Sequence, residues 1–315
     1  MTIPMTPETG IPVAVSPAAA TGAPGSAAFR RFAQAVLRNR KATAGLVILA
    51  AMTIIAVFPQ LFTNIDPQAA IYDQQAGPSA QHLLGTTQVG EDVFAQLIWG
   101  TRLTLLITVI VSLAATVISV LIGVTAAYVG GMADRSLSLL TDVFLVLPTL
   151  PLLIVLTAYL PSGSLTITAV MIATSWAFAA RQLRAQGLSL RTRDFLEAAK
   201  VRGERRSYII IVEILPNMIS LLVASFLGLA VFVVGFAAGL QFLGLGNSTE
   251  LTWGTMLYYS QQNGALESGN ALWMLAPGAA VAILGTGFAL LNYAFDEIGN
   301  PALRPVRRRR GKPAA

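Results

Sequence analysis

The chain has 315 residues, 55% of them hydrophobic and only 11% charged, against roughly 25% charged in an ordinary soluble domain. Its 21 Lys and Arg outnumber 15 Asp and Glu, for a net charge of +6, and it has no cysteine, which excludes disulfides, thiolate metal sites and cysteine nucleophiles. The positive charge falls in separated blocks between long uncharged stretches, which is not the layout of a nucleic-acid surface.

Residues 1–29 are rich in Pro, Ala, Gly and Thr and lack both the basic start and the apolar core of a signal peptide. They read as a disordered cytoplasmic tail, followed by a basic lead-in at 30–43. Beyond it, no charged residue lies between Lys41 and Asp66, Arg102 and Asp134, Asp142 and Arg181, Glu213 and Glu250, or Glu267 and Asp296. About 20 apolar residues carry a helix across the hydrocarbon core, so each stretch is long enough for one crossing. The third is long enough for two, because Pro161-Ser162-Gly163-Ser164 divides it with a turn. Lipid offers backbone polar groups no outside partner, so the state is helical. The expectation is an all-α polytopic membrane domain over 44–300, with six crossings near 44–62, 103–129, 137–160, 165–182, 216–242 and 272–294. The first crossing then acts as an uncleaved insertion signal.

Six crossings place 20 of the 21 Lys and Arg on one side, leaving only Arg102 opposite. The positive-inside bias makes that side the cytoplasm, with both termini there, as in a bacterial inner membrane. The basic tail at 301–315 includes Arg307–Arg310; directly after a crossing, this run reads as a topogenic contact with anionic membrane lipid. The longest cytoplasmic segment, Arg181 to Pro216, alternates Arg and Lys with Asp194, Glu197 and Glu204, a composition suited to short amphipathic helices on the membrane face. Gly203 accepts the φ > 0 that breaks two such helices, and Pro216 suits the first turn of the fifth crossing.

That segment reads Glu197-Ala198-Ala199, three residues, Gly203, nine residues, then Glu213-Ile214-Leu215-Pro216-Asn217. It resembles the signature of the binding-protein-dependent ABC importer permeases: Glu-Ala-Ala, three residues, Gly, nine residues, an apolar or His position, any residue, Leu-Pro. Peptide-type members usually carry His where this chain has Glu213. Leu84-Gly85-Thr86-Thr87-Gln88-Val89-Gly90-Glu91-Asp92-Val93, Asp142-Val143 with Leu147-Pro148-Thr149-Leu150-Pro151, Phe242 to Gly246, Trp253 to Leu257 and Trp273 to Gly278 are similar to the dipeptide/oligopeptide branch, in its shorter second permease.

The resemblance implies the type I ABC importer permease (MetI-like) fold and a coupling loop at 183–215 docking on a cytoplasmic ATPase. It assigns Glu197, Ala198, Ala199, Gly203 and Arg205 to that contact, and Leu215, Pro216 and Asn217 to the re-entry into the membrane. The implied partners are a homologous permease subunit in a heterodimer, two ATPase subunits and an extracytoplasmic solute-binding protein. ATP and Mg belong to the partners, and this chain has no phosphate-cradling loop, no cofactor and no catalytic residue of its own. Peptides are the implied solute, with nickel and oligosaccharides as alternatives.

Candidates along the pathway are weighed against plainer roles. Asp142 is the one carboxylate placed inside a crossing, about two turns from its cytoplasmic start, where a capped or water-facing structural role is favoured over function. Pro148 and Pro151 interrupt the ladder of the third crossing, as a tolerated kink or as a hinge. Gly235 and Gly239 suit close helix packing more than a pore lining. Phe232, Phe236, Phe242 and Gln241 are further pathway candidates, set against ordinary packing. Trp253, Tyr258, Tyr259 and Trp273 are expected in an outer aromatic belt. His82, alone in an outer loop, makes a poor metal site.

Two rival classes remain. An intramembrane enzyme needs a nucleophile–base pair or metal ligands that the crossings do not supply, and a proton-coupled transporter needs more buried titratable groups.

Overall fold

The computed structural model describes residues 39–299, Ser162 and Ser248 excepted. The expected tails, 1–29 and 301–315 with Arg307–Arg310, lie outside the described residues. Among the described residues, ten α-helices of eight residues or more follow in order: α1 (Arg40–Val57), α2 (Val93–Val129), α3 (Gly131–Val146), α4 (Thr149–Tyr159), α5 (Ser164–Ser175), α6 (Ala177–Leu190), α7 (Asp194–Val201), α8 (Ile219–Leu240), α9 (Trp253–Gln262) and α10 (Ala271–Gly299). Five spans are long and apolar enough to cross a membrane: α1, α2, α5 with α6, α8 with its continuation to Leu245, and α10. The third expected crossing is not straight, since α3 and the following helix meet at 88°. The expected count of six holds when that bent pair is taken as one span.

The boundaries have local causes. α1 stops at Val57, before Pro59, earlier than the expected end at 62. α2 starts ten residues earlier than expected because the Asp92 carboxylate caps it, accepting from the Phe94 N–H at 2.9 Å. Arg102 therefore lies on an exposed position within a helix rather than in a loop. At 37 residues α2 is about 55 Å long, well beyond the roughly 30 Å hydrocarbon core. The chain breaks at Leu147–Pro148, where Pro148 has the extended backbone that precedes α4.

α2 is the hub, packing against α1, α3, α5, α6, α8 and α9. Its inward face carries Thr101, Thr104, Thr108, Ser112, Thr116 and Ser119, all buried. Five of these hydroxyls donate back to carbonyls four residues earlier, so small polar side chains pack without leaving an orphaned group. α2 and α6 approach closely at small residues. A Cβ at Gly123 would run into the Ala180 carbonyl oxygen, and one at Gly187 would stand 2.8 Å from Ala127 Cβ. α8, α9 and α10 enclose a second core around Trp253, Trp273, Leu284 and Phe288. Trp253 is 1% exposed and Trp273 2%, so both lie in the core rather than in the expected aromatic belt. The indole N–H of Trp253 donates to the Leu97 carbonyl at 3.0 Å, which satisfies its polar edge inside the protein.

Candidate functional site

The expected coupling segment folds into a rigid elbow. α7 ends in a Schellman motif: the Glu204 N–H donates to the Ala199 carbonyl, the Gly203 N–H donates to the Lys200 carbonyl, and Gly203 sits at φ +77. Nothing lies within 4 Å of a Cβ built on Gly203, so its backbone conformation, not crowding, calls for glycine. A short helical turn (Arg206–Tyr208) runs into a π-helical turn (Ile209–Ile214) and then Leu215–Asn217. The i→i+5 bonding of a π turn stacks residues five apart, bringing both Ile209 and Ile214 onto one buried face. With Leu196, Ala199, Leu183, Val124 and Met218 they form an apolar cluster that seats the elbow on α2, α6 and the start of α8.

This seating divides the expected contact residues. Glu197, Ala198, Gly203 and Arg205 are exposed, whereas Ala199 is 0% exposed and packs inward. The two alanines thus serve opposite faces, a correction to the expectation that both meet a partner. Leu215 is half-buried and Pro216 and Asn217 are exposed; α8 begins only at Ile219 because Met218 leaves helical geometry. Glu213 has its own partner, accepting from Arg202 at 3.2 Å, while the Asn217 amide donates to the Glu213 carbonyl at 2.6 Å. The outer surface of the elbow also shows Val201 at 88%, Ile211 at 62% and Val212 at 46% exposure, an apolar patch around the groove at Gly203.

The pathway candidates separate. Asp142 is exposed eleven residues into α3, deeper than expected, and lines a small groove with Ser138 and Arg184. Arg184 itself forms a two-pronged pair with Asp134, at 2.6 and 2.9 Å, tying α6 to the start of α3. Pro148 and Pro151 flank the start of α4 at the 88° bend. Phe236, half-buried, stacks on exposed Phe232 with centroids 4.7 Å apart along one side of α8. Gly235 and Gly239 share that side, and a Cβ built on either would meet nothing within 4 Å, so among the described residues they pack against no helix, against expectation. Gln241 is 3% exposed and accepts from the Thr252 hydroxyl at 2.8 Å, which makes it an internal brace rather than part of an open face. Phe242 is half-buried. On the far side from the elbow, the Glu250 carboxylate caps α5 by accepting from the Ser164 N–H at 2.7 Å. His82 packs edge-on against Tyr72, and no group of three or more His, Cys, Asp or Glu among the described residues could hold a metal.

Residues 115–298, which include the elbow, α8 and most of α10, match the family of binding-protein-dependent transport system inner membrane components. The chain belongs to this family. The permease is 31% identical over 272 residues to the dipeptide transport system permease protein of Alkalihalophilus pseudofirmus, covering 85% of this chain and 88% of that one. It is 31% identical to the oligopeptide transport system permease protein of Bacillus subtilis over 223 residues, or 69% of this chain and 72% of the other. The nickel transport system permease protein of Escherichia coli K12 is 30% identical over 264 residues, 82% and 93% of the two chains. An inward-facing structure of the MetNI methionine ABC transporter matches the fold with a TM-score of 0.52 at 21% identity, covering 66% of this chain and 97% of that one. The expected MetI-like fold of an inner-membrane permease is thus observed.

Three contacts of the permease were not readable in advance. The Asp134–Arg184, Arg202–Glu213 and Ser164–Glu250 contacts join residues 50, 11 and 86 positions apart, and no local pattern marks them. The hydroxyl stripe of α2 did have a signal, a three-to-four-residue spacing of Thr and Ser through an apolar helix.

Proposed function

We propose that this chain is the non-catalytic permease subunit of an ATP-driven peptide importer, paired with a homologous permease and moved by two ATPase subunits. An external solute-binding protein delivers the solute, both termini face the cytoplasm, and ATP and Mg stay with the ATPases. The observation that carries this reading is the elbow. Its inner face (Leu196, Ala199, Ile209, Ile214) is fixed to the bundle, and its outer face (Glu197, Ala198, Gly203, Arg205, Val201, Ile211) is free for a partner. An element seated this way transmits displacement without absorbing it, which rigid-body switching requires. Leu215, Pro216 and Asn217 then carry the motion into α8. Exposed Phe232, Gly235 and Gly239 on α8, with half-buried Phe236 beside them and Asp142, Pro148 and Pro151 towards the bend, suit the face turned to the second permease and the solute path. Peptide as solute rests on the relatives named for dipeptide and oligopeptide transport. Nickel is the competing solute, through the nickel relative.

The test is uptake into proteoliposomes holding the full complex. ATP-dependent accumulation of a labelled di- or tripeptide is the expected result. Accumulation of nickel but not peptide would replace the solute, and uptake driven by a pH gradient without ATP would overturn the importer reading.

A further inference from the structure

α3 is weakly anchored and jointed at both ends. Of its 16 residues only Thr141 is buried, whereas the neighbouring α6 buries five of 14. Gly130 and Gly131 lead into α3 at φ +69 and +60, a left-handed pair that residues with a Cβ seldom adopt. Leu147–Pro148 ends it at the 88° bend. A groove of about 120 Å³ lies between α2, α3 and α6, with Leu137, Ser138, Thr141 and Asp142 along its α3 wall. Few buried contacts mark a segment that can move while the rest of the fold stays intact.

What holds α3 against α6 is ionic. Asp134, Ser138 and Asp142 stand four residues apart and form one row along the helix. Asp134, in the first turn, accepts from Arg184 of α6 through both carboxylate oxygens, at 2.6 and 2.9 Å, and from the Ser138 hydroxyl at 3.3 Å. Asp142, two turns further on, is exposed and lines the same groove as Arg181 and Arg184. Among the described residues it makes no ion pair. A carboxylate within an apolar span is costly unless a cation or water meets it. Two carboxylates and two guanidinium groups thus share one groove, with one pair made and the other open.

We infer that α3 is a two-position arm, latched here by Asp134, in which Arg184 exchanges Asp134 for Asp142 as the helix turns about its two joints. The inference rests on the importer reading above and adds to it a route from the elbow to the bend. α6 runs through Arg191 into α7, and Leu183, next to Arg184, belongs to the apolar cluster beneath the elbow. Displacement of the elbow therefore reaches Arg184 through α6, and the exchange of carboxylates passes it on to α3. Each position holds one charge-assisted pair, so the two lie close in energy, as a switch biased by a partner requires.

The chain has no cysteine, so Leu139→Cys on α3 and Ser189→Cys on α6, both exposed, take spin labels in a full complex whose other subunits are cysteine-free. Label distances are read without nucleotide and with ATP plus vanadate. Two distance populations are expected, the second gaining with ATP and vanadate. Asp134→Asn moves the nucleotide-free ratio about ten-fold toward the second, and Asp142→Asn moves the ATP–vanadate ratio about ten-fold toward the first, the scale of one hydrogen bond to a charged group. In an Arg184→Met background neither substitution changes the ratio. Asp142→Asn, at an exposed residue, tests the second position by itself if Asp134→Asn does not assemble. One population under every condition, or shifts of the same sign from the two substitutions, would overturn the inference. ATP-dependent uptake of trialanine by the unlabelled wild-type complex is read in parallel. Absent uptake means that the importer reading fails; uptake with label distances that ignore both substitutions means that only the two-position arm fails.

Discussion

The Arg202 guanidinium stands 3.2 Å from the Glu213 carboxylate, bracing the end of α7 against the π turn that leads into the membrane. Gly203 lies inside this brace. Both side chains are partly exposed, so the pair is worth at most about 1 kcal/mol of stability. Its expected importance is mechanical. Arg202→Ala and Glu213→Ala each lower uptake per ATP hydrolysed several-fold with little change in Tm, and the double variant is no worse than either single. Additive losses would show that the two residues act separately.

Gly203→Val is expected to abolish uptake while leaving membrane insertion intact. At φ +77 a side chain costs about 1–2 kcal/mol through its own Cβ, and open space around the position gives no other source of loss. Gly203→Asn, which tolerates that region, retains part of the transport. Equal effects of Val and Asn would remove the conformational explanation.

Neighbouring alanines give opposite outcomes. Ala199→Leu inserts volume into the buried cluster around Leu196 and Ile209 and costs about 1–3 kcal/mol, read as a lower Tm. Ala198→Leu leaves Tm unchanged but weakens co-purification of the ATPase subunits. Loss of stability from the second, or of ATPase from the first alone, contradicts the division of faces.

Gly123→Ala drives a methyl into the α6 backbone and is expected to lower Tm by several degrees, whereas Gly235→Ala, on an open face, leaves the isolated chain unaffected. If Gly235→Ala nevertheless impairs assembly or uptake, the exposed face of α8 meets another molecule.

Burial pushes the Asp92 carboxyl up from its ordinary value, against the lowering effect of the Phe94 and Ala95 N–H groups and of His82. A folded pKa above the unfolded one penalises the carboxylate form in the fold. The penalty is absent below the ordinary value, grows as pH rises through the raised pKa, and is fully present above it. Asp92→Asn keeps an acceptor for the Phe94 N–H and is expected to match or exceed wild-type Tm at neutral pH, with a flatter pH profile. Asp92→Ala loses the cap and about 1 kcal/mol. A lower Tm for Asn than for Ala would reverse this account.

Much of the site was legible before any coordinates. The spacing from Glu197 through Gly203 to Pro216 marked the elbow, and glycine at 203 announced a left-handed turn because few other residues adopt one. What stayed hidden was direction. Ala198 and Ala199 are chemically identical, and only the cluster beneath α7 makes one internal. Gly235 and Gly239 have the spacing of a packing motif, yet no helix among the described residues lies against them. The tryptophans at 253 and 273 carry the composition of an interfacial belt and are core residues instead, because α9 folds back over α8 and α10.

By itself, the sequence determined the helical membrane class, the span count to within one bent pair and the place of the elbow. Each follows from a one-body property: the length of an apolar run or the φ that a residue permits. Tertiary structure alone decided the 88° bend, the early start of α2 and the Arg202–Glu213 and Asp134–Arg184 pairs. These depend on which distant residues meet, and a linear pattern holds no record of pair distances until the chain has packed.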